Sequence, residues 1–157
     1  MALLVGTHVN RIDKKGRVSV PKPFRDFFAE RGHAGLYAYP SFKVPSIVAC
    51  DEEKMQRINA GLEDMGLFSD DQDDLAYIVM ENARFLPFDP EGRIVLPREH
   101  LRHADISDKA LFAGQGSQMN IWHPGAHADN MAQVFQRARA RGVVLPLGPT
   151  SAKDDPS

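Results

Sequence analysis

Two segments of this chain share one pattern of residues, and this repeat constrains the fold more than any other feature of the sequence. The first, IDKKGRVSVPKPFR, begins at Ile12, and the second, FDPEGRIVLPREHLR, begins at Phe88. In both, Asp, Gly, Arg, a β-branched residue, an apolar residue and Pro follow in the same order. Alternating residues around Asp-x-x-Gly-Arg predict short, half-buried strands. Each copy therefore predicts a strand, a turn, a strand, a short helix and a strand, and two copies indicate an intramolecular pseudo-dimer of class α+β.

The centre of each copy is predicted to be a tight hairpin turn. Gly16 and Gly92 supply the positive φ that such turns require, a conformation that glycine adopts without strain. Asp13 and Asp89 carry carboxylates that accept hydrogen bonds from backbone N–H groups across the turn. We therefore assign a turn-forming role to these four residues.

Charge is distributed unevenly along the chain. The net charge is −2, and an acidic average argues against a nucleic-acid-binding domain. Residues 8–25, however, carry six Arg and Lys side chains against one acid, whereas residues 51–74 carry nine acids against two basic side chains. This segregation makes the first turn a candidate binding surface, and the competing interpretation is a solvated hairpin tip.

The sequence pattern divides the chain into four parts. Residues 1–50 and 83–142 hold the two copies of the repeat. Residues 51–82 show apolar residues at helical spacing with a break at MGLFSDD, which predicts linking helices. A last helix is predicted from Pro124, with arginines in its final turns and a glycine as its stop. Residues 143–157 are predicted to be a disordered tail.

Several classes of function find no support in the sequence. No apolar run approaches the roughly 18 residues needed to span a bilayer, so we expect a soluble, cytoplasmic protein without a membrane partner. Cys50 is the only cysteine, which excludes an intrachain disulfide and favours a thiol without a chemical role. No nucleophile motif or phosphate-binding loop is present. We therefore predict no catalytic residue, no enzyme activity and no cofactor.

Two pairs of histidines raise the alternative of a metal site. His123 and His127 are one helical turn apart, and His100 and His103 form a second short pair. Asp129 lies close to the first pair in the sequence, yet no third ligand of matching pattern follows His123 and His127 nearby. The polar start of a helix explains the first pair more simply, and no metal is predicted.

The two repeated segments, with GTHVNR before the first and LFAGQGSQMNIW after the second, resemble the MraZ family of bacterial transcriptional regulators. The resemblance spans residues 1–142 and rests on the doubled Asp-x-x-Gly-Arg turn. It implies two AbrB-like swapped-hairpin β-units that form one pseudo-symmetric β-domain with peripheral helices. It also implies a ring-shaped homo-oligomer, associated with the nucleoid, that binds double-stranded DNA. Family members bind G-rich direct repeats upstream of the division and cell-wall gene cluster that includes their own gene, and repression is the family expectation.

The resemblance places the principal DNA contacts on the first turn. Arg17 suits guanine, because a guanidinium donates two parallel hydrogen bonds to O6 and N7 in the major groove. Lys15 is expected to be the second principal contact. Lys14 and Arg11, with Lys15, suit backbone phosphates, whose neutralisation makes affinity fall with salt.

The second turn departs from the family pattern. Its sequence is DPEGR, so that Pro90 and Glu91 stand where relatives more often carry polar or basic residues. Arg93 is the counterpart of the first turn's arginine. Two roles remain open for it: a DNA contact, or a structural ion pair with the acids beside it.

An alternative function belongs to a different class. In this alternative, the chain is an AbrB-like antitoxin or a protein-interaction scaffold whose hairpins bind a partner protein. A toxin-binding antitoxin normally carries one β-unit and a long tail, whereas this sequence shows two units and a short tail. A toxin gene beside this gene would favour the antitoxin, and a methyltransferase with division genes would favour the regulator.

Overall fold

A six-stranded antiparallel sheet forms the centre of the protein in a computed structural model that describes residues 3–150. The strands are β1 (Thr7–Arg11), β2 (Arg17–Ser19), β3 (Gly35–Pro40), β4 (Ser46–Cys50), β5 (Arg84–Pro87), β6 (Arg93–Val95), β7 (Lys109–Gly114) and β8 (Met119–Trp122). The order in the sheet is β1, β7, β8, β4, β3, β5, and β2 pairs with β6 in a separate two-stranded ribbon.

Helices connect these strands, and the predicted mixture of helix and antiparallel sheet is confirmed. The helices are α1 (Lys22–Glu30), α2 (Glu52–Glu63), α3 (Asp70–Leu75), α4 (Arg98–Ala104) and α5 (Pro124–Arg141). A π-helical segment, Ala76–Glu81, continues α3. The segment between the two copies is thus mainly helical, and its π-helical part is not evident from the sequence.

Strand pairing joins the two copies of the repeat. β1 of the first copy pairs with β7 of the second, and β5 of the second copy pairs with β3 of the first. The ribbon takes one strand from each copy, with Val18 opposite Ile94 at its centre. Because β2 and β6 are antiparallel and each follows its own turn, the two repeated turns lie at opposite ends of the ribbon.

The main core contains the apolar face of α1 and the inner side of the ribbon. Phe24, Phe27 and Phe28 lie at helical spacing, and each is at most 2% exposed. Val18 and Ile94 belong to the same cluster. Burial of one such phenylalanine contributes about 1.5–3 kcal/mol. The ribbon is therefore held against the body of the protein by its inner face, and its outer face stays in solvent.

A smaller core cluster lies under α2. Asp51 caps this helix, since its carboxylate accepts a hydrogen bond from the Lys54 backbone N–H at 2.9 Å. Met55 and Val79 pack with Cys50, whose side chain is fully buried. Burial raises the pKa of the Cys50 thiol to about 12. The thiol is consequently protonated at neutral pH, in keeping with the predicted unreactive role.

The chain divides into two units, Met1–His127 and Ala128–Ser157. The second unit holds the rest of α5, which is followed by Gly142 at φ +63°. In the described part of this unit no side chain is buried, and residues 143–150 form neither helix nor strand. The remainder of the predicted tail, residues 151–157, lies outside the described residues. None of the helices between residues 3 and 150 is long and apolar enough to cross a membrane.

Candidate nucleic-acid interface

The first turn is closed by a compact set of hydrogen bonds around Asp13. The Gly16 N–H donates to the Asp13 carbonyl at 3.0 Å, and the Asp13 N–H donates to the Arg17 carbonyl at 3.1 Å. One carboxylate oxygen, Oδ1, accepts from the backbone N–H groups of Lys15 and Arg17, both at 2.9 Å. Gly16 has φ +85°, the left-handed conformation that this turn requires. The turn is thus a rigid support for the side chains that it carries.

Arg17 leaves the turn with its guanidinium held at one edge only. Its Nε donates to Asp13 Oδ2 at 2.7 Å. Hydrogen bonds from the Arg17 backbone and side chain hold the pKa of the Asp13 carboxyl below its ordinary value. Within residues 3–150, the two Nη groups of Arg17 donate to no protein acceptor. The end of the guanidinium therefore remains available as a planar pair of donors.

The second turn repeats these bonds around Asp89. The Gly92 and Asp89 N–H groups donate across the turn at 2.9 Å, and Asp89 Oδ1 accepts from Glu91 and Arg93 at 2.9 and 2.8 Å. The Arg93 Nε donates to Asp89 Oδ2 at 2.8 Å. These bonds, led by the one from the Arg93 backbone, lower the pKa of the Asp89 carboxyl. The backbones of the two turns are therefore equivalent as hydrogen-bonded supports.

Glu91 makes the second turn different from the first. Its carboxylate forms an ion pair with Arg93 Nη2 at 2.7 Å, so this guanidinium is held at two edges. The hydrogen bond to Asp89, with the charges of both acids, raises the pKa of Arg93. The sequence left two roles open for Arg93, a DNA contact and a structural ion pair. In the structure the ion pair with Glu91 is present, and it occupies one of the two Nη groups of Arg93.

The remaining predicted basic residues are exposed around the first turn. Lys14, Lys15 and Arg11 are exposed to solvent, and none of them forms an ion pair with another described residue. Arg11 lies directly opposite Lys109 in the β1–β7 register. Like charges facing each other across strands repel, and a bound anion removes that cost. Lys109 is therefore an additional candidate that the sequence repeat does not reveal.

The outer face of the ribbon brings the two arginines onto one surface. Arg17 lies opposite Val95, and Arg93 lies opposite Ser19. In both strands the middle residue is buried and the flanking residues are not. Ser19 and Val95 also belong to this face, and neither was predicted from the sequence. Strand alternation was the available signal, because residues two positions apart share a face.

Helix α1 also touches the second turn. The Arg25 side chain lies against Gly92 so closely that a Cβ at Gly92 would overlap its guanidinium. Arg25 Nη1 also donates to the Val20 carbonyl at 3.5 Å. A surface cavity of about 380 Å³ lies beside this contact, and Asp26 and Glu91 line it. Charged side chains of both signs, Arg25, Asp26 and Glu91, therefore lie around the second turn.

His100, His123 and His127 occupy structural positions. His123 Nδ1 accepts the Gly125 backbone N–H at 2.9 Å at the start of α5. The His127 ring packs edge-on against Trp122 with centroids 5.5 Å apart. His100 is buried, with Nε2 at 2.8 Å from the Asn82 carbonyl, and burial lowers its pKa. No group of three or more potential metal ligands occurs in the part of the chain that the structure describes.

The sequence of this chain is similar to the sequences of one family of known proteins. A family model described as "MraZ protein, putative antitoxin-like" matches residues 79–141. A protein of Pelagibacter ubique named transcriptional regulator MraZ is 40% identical over 79% of this chain and 80% of its own length. Proteins of the same name from Xanthobacter autotrophicus and Gluconacetobacter diazotrophicus are 37% and 36% identical. The match covers 88% of both chains for the former and 93% of both for the latter.

Proposed function

The chain belongs to the MraZ family of transcriptional regulators, and we propose that it regulates transcription by binding double-stranded DNA through its first hairpin turn. Transcriptional regulators are not a class of enzyme. The observation that supports the proposal is the geometry of Arg17, which a carboxylate fixes at Nε while its two Nη groups have no protein acceptor within residues 3–150. A two-stranded ribbon fits the width of the major groove. A guanidinium presented end-on from such a ribbon matches O6 and N7 of guanine.

Phosphate contacts accompany this base contact in the proposal. Lys15, Lys14 and Arg11 stand exposed beside the turn, and Lys109 faces Arg11 across β1 and β7. Ammonium and guanidinium groups neutralise backbone phosphates and fix the register of the protein on the duplex. These contacts add affinity for any sequence, whereas Arg17 adds preference for guanine.

The second turn has a smaller part in DNA recognition. Arg93 must release Glu91 before it presents both Nη groups to a base. Glu91 is also exposed and negatively charged, so it repels the phosphates nearby. We assign Arg93 a secondary contact, and assign Asp13, Gly16, Asp89 and Gly92 to the construction of the turns.

The crossed strand pairing supports a swapped-hairpin architecture. Residues 1–50 and 83–142 form the two units in this proposal, residues 51–82 link them, and residues 143–157 form the tail. Edge strands β1 and β5 expose Val9 and Phe85, which are about half accessible. Exposed apolar residues on sheet edges favour association between copies. A ring of several chains then presents several first turns to spaced DNA repeats, which raises affinity through effective concentration.

The target follows from the family assignment. We propose that it is a set of G-rich direct repeats upstream of the division and cell-wall gene cluster that includes the protein's own gene, and that binding represses transcription. The protein then works in the cytoplasm, associated with the nucleoid. The guanine preference expected of Arg17 agrees with a G-rich target.

Binding to DNA from upstream of its own gene tests this proposal. Fluorescence anisotropy compares that DNA with a shuffled duplex of equal composition at one fixed salt concentration, and footprinting locates the protected bases. We expect preferential binding, and a slope of log affinity against log salt that shrinks by about 0.9 for each phosphate contact removed by Lys14→Ala or Lys15→Ala. Equal affinity for both duplexes would contradict sequence-specific regulation.

The antitoxin-like description of the family model favours a second candidate function. In that case the hairpins and the exposed apolar side chains bind a partner protein. Co-expression with the product of a neighbouring small gene, followed by co-purification, tests this function. A stable complex whose formation is unaffected by Arg17→Ala would favour the partner protein over DNA.

A further inference from the structure

Val95 is an apolar side chain on the outer face of the ribbon. It is 52% exposed, whereas its neighbours Ile94 and Leu96 are 1% and 2% exposed. Packing in the core therefore does not account for an apolar residue at this position, because strand alternation turns the Val95 side chain away from the interior. The surface to which it belongs is the one that carries Arg17.

The register of the ribbon sets Val95 beside Arg17. The Leu96 N–H donates to the Gly16 carbonyl at 2.8 Å, and the Val20 N–H donates to the Gly92 carbonyl at 3.1 Å. Antiparallel strands alternate hydrogen-bonded and non-hydrogen-bonded pairs, so the Arg17–Val95 pair between these bonds is of the second kind. In such pairs the Cα atoms are about 4.5 Å apart and the side chains project side by side.

This spacing is within about 1 Å of the distance between neighbouring bases in a duplex, whose strands rise about 3.4 Å per base. The major groove offers one apolar group to proteins, the C5-methyl of thymine, next to the acceptors of guanine. We propose that Val95 contacts the C5-methyl of a thymine in the base pair adjacent to the guanine that Arg17 binds. The first turn then recognises a two-base-pair unit containing a T·A pair beside a G·C pair. This inference rests on the DNA-binding function proposed above.

The second copy does not carry the same combination. Arg93 faces Ser19, a small hydroxyl side chain that has no preference for a methyl group. Arg93 is in addition held by Glu91. The thymine contact therefore belongs to one end of the ribbon, and it gives the bound DNA a direction relative to the protein.

The test combines variants of the protein with removal of single methyl groups from the DNA. Each thymine in the footprinted upstream site is replaced in turn by deoxyuridine, which lacks only the C5-methyl. For wild type, replacement at one position beside the essential guanine should weaken binding about fourfold, the effect of burying one methyl group. Val95→Ala should weaken binding to thymine DNA by a similar factor and should not distinguish uracil from thymine at that position.

Two further variants complete the experiment. Val95→Ser, which gives Arg17 the neighbour that Arg93 has, should reproduce the insensitivity to uracil. Val143→Ala removes a similarly exposed valine from the segment after α5 and should retain the full fourfold discrimination. Thermal melting confirms that each variant is folded.

The outcomes separate this inference from the proposed function. If Val95→Ala retains the wild-type discrimination against uracil, or if no thymine near the guanine is sensitive in wild type, the Val95 contact is wrong. If Arg17→Ala nevertheless weakens binding to the same DNA, the proposal that the first turn recognises DNA remains supported without the Val95 contact. If wild type shows no preference for the upstream DNA, the proposed function and this inference both fail.

Discussion

The two turns differ in what surrounds an equivalent set of backbone and carboxylate hydrogen bonds. Asp13 and Asp89 each accept from two backbone N–H groups and one arginine Nε. Among the residues that the structure describes, only the second arginine is bound by a further acid, Glu91. The repeat thus retains the residues that build the turn, whereas the exposed residues have diverged. A difference in function between the two turns therefore depends on few side chains.

The largest expected difference concerns stability. Gly16→Ala places a side chain at φ +85° with its Cβ 2.8 Å from the Leu96 carbonyl oxygen, which is backbone and cannot move aside cheaply. We expect a loss of about 2–4 kcal/mol in the free energy of unfolding. Gly92→Ala has a comparable φ of +78° but meets the flexible Arg25 side chain, so we expect about 1–2 kcal/mol. Urea unfolding measures both variants, and equal losses would show that Leu96 does not restrict the first turn.

A smaller effect should follow from releasing Arg93. Glu91→Gln removes the carboxylate that holds Arg93 Nη2 and retains the size of the side chain. We expect DNA affinity to rise severalfold, because a second guanidinium becomes available and one repulsive charge is lost. Stability should change by less than about 1 kcal/mol, since exposed ion pairs contribute little. Anisotropy titration at fixed salt measures the affinity, and Glu63→Gln on α2 is the matched control for the change in net charge. Unchanged affinity in both variants would mean that Glu91 does not weaken the second turn.

The smallest expected difference is in acid sensitivity. The pKa values of Asp13 and Asp89 are lowered in the folded protein. The stabilisation is therefore complete above their unfolded pKa of about 3.8 and is lost as pH falls through the lower folded values. Asp13→Asn and Asp89→Asn should each make the free energy of unfolding less dependent on pH below about 4, to a similar extent. Buried His100, whose pKa is also lowered, adds a separate loss as pH falls below about 6.5.

Urea unfolding from pH 7 to pH 3 measures this dependence. The contribution of His100 cancels when each variant is compared with wild type at the same pH. An effect in one aspartate variant only would show that the two turns are not equivalent supports.

Local features of this fold were predictable from the sequence. Glycine and aspartate spacing predicted the turns, and the repeat predicted the short helix of each copy, which corresponds to α1 and α4. The sequence did not predict β4, because SIVAC is buried at every position and shows no alternation. It also did not show which strands pair, since the β1–β7 contact joins segments about a hundred residues apart and depends on tertiary packing.

The candidate site was predicted in part. Charge and the repeat identified Arg17, Lys14, Lys15 and Arg11 as candidates, and their role in DNA binding stays a prediction. Val95 was missed because its importance depends on the residue opposite it, and cross-strand register is a property of the folded ribbon. The Glu91 ion pair was one of two alternatives for Arg93, and only the three-dimensional arrangement shows that it forms.

The central claim is that the first turn binds the DNA and the second mainly supports the fold. The most direct measurement compares Arg17→Ala and Arg93→Ala by anisotropy on the upstream DNA at one salt concentration, with oligomeric state and thermal melting verified for both. We expect Arg17→Ala to lower affinity by about 10- to 100-fold, the range of a lost bidentate guanine contact, and Arg93→Ala to lower it less than about threefold. Equal losses, or wild-type affinity in a folded Arg17→Ala protein, would contradict this account.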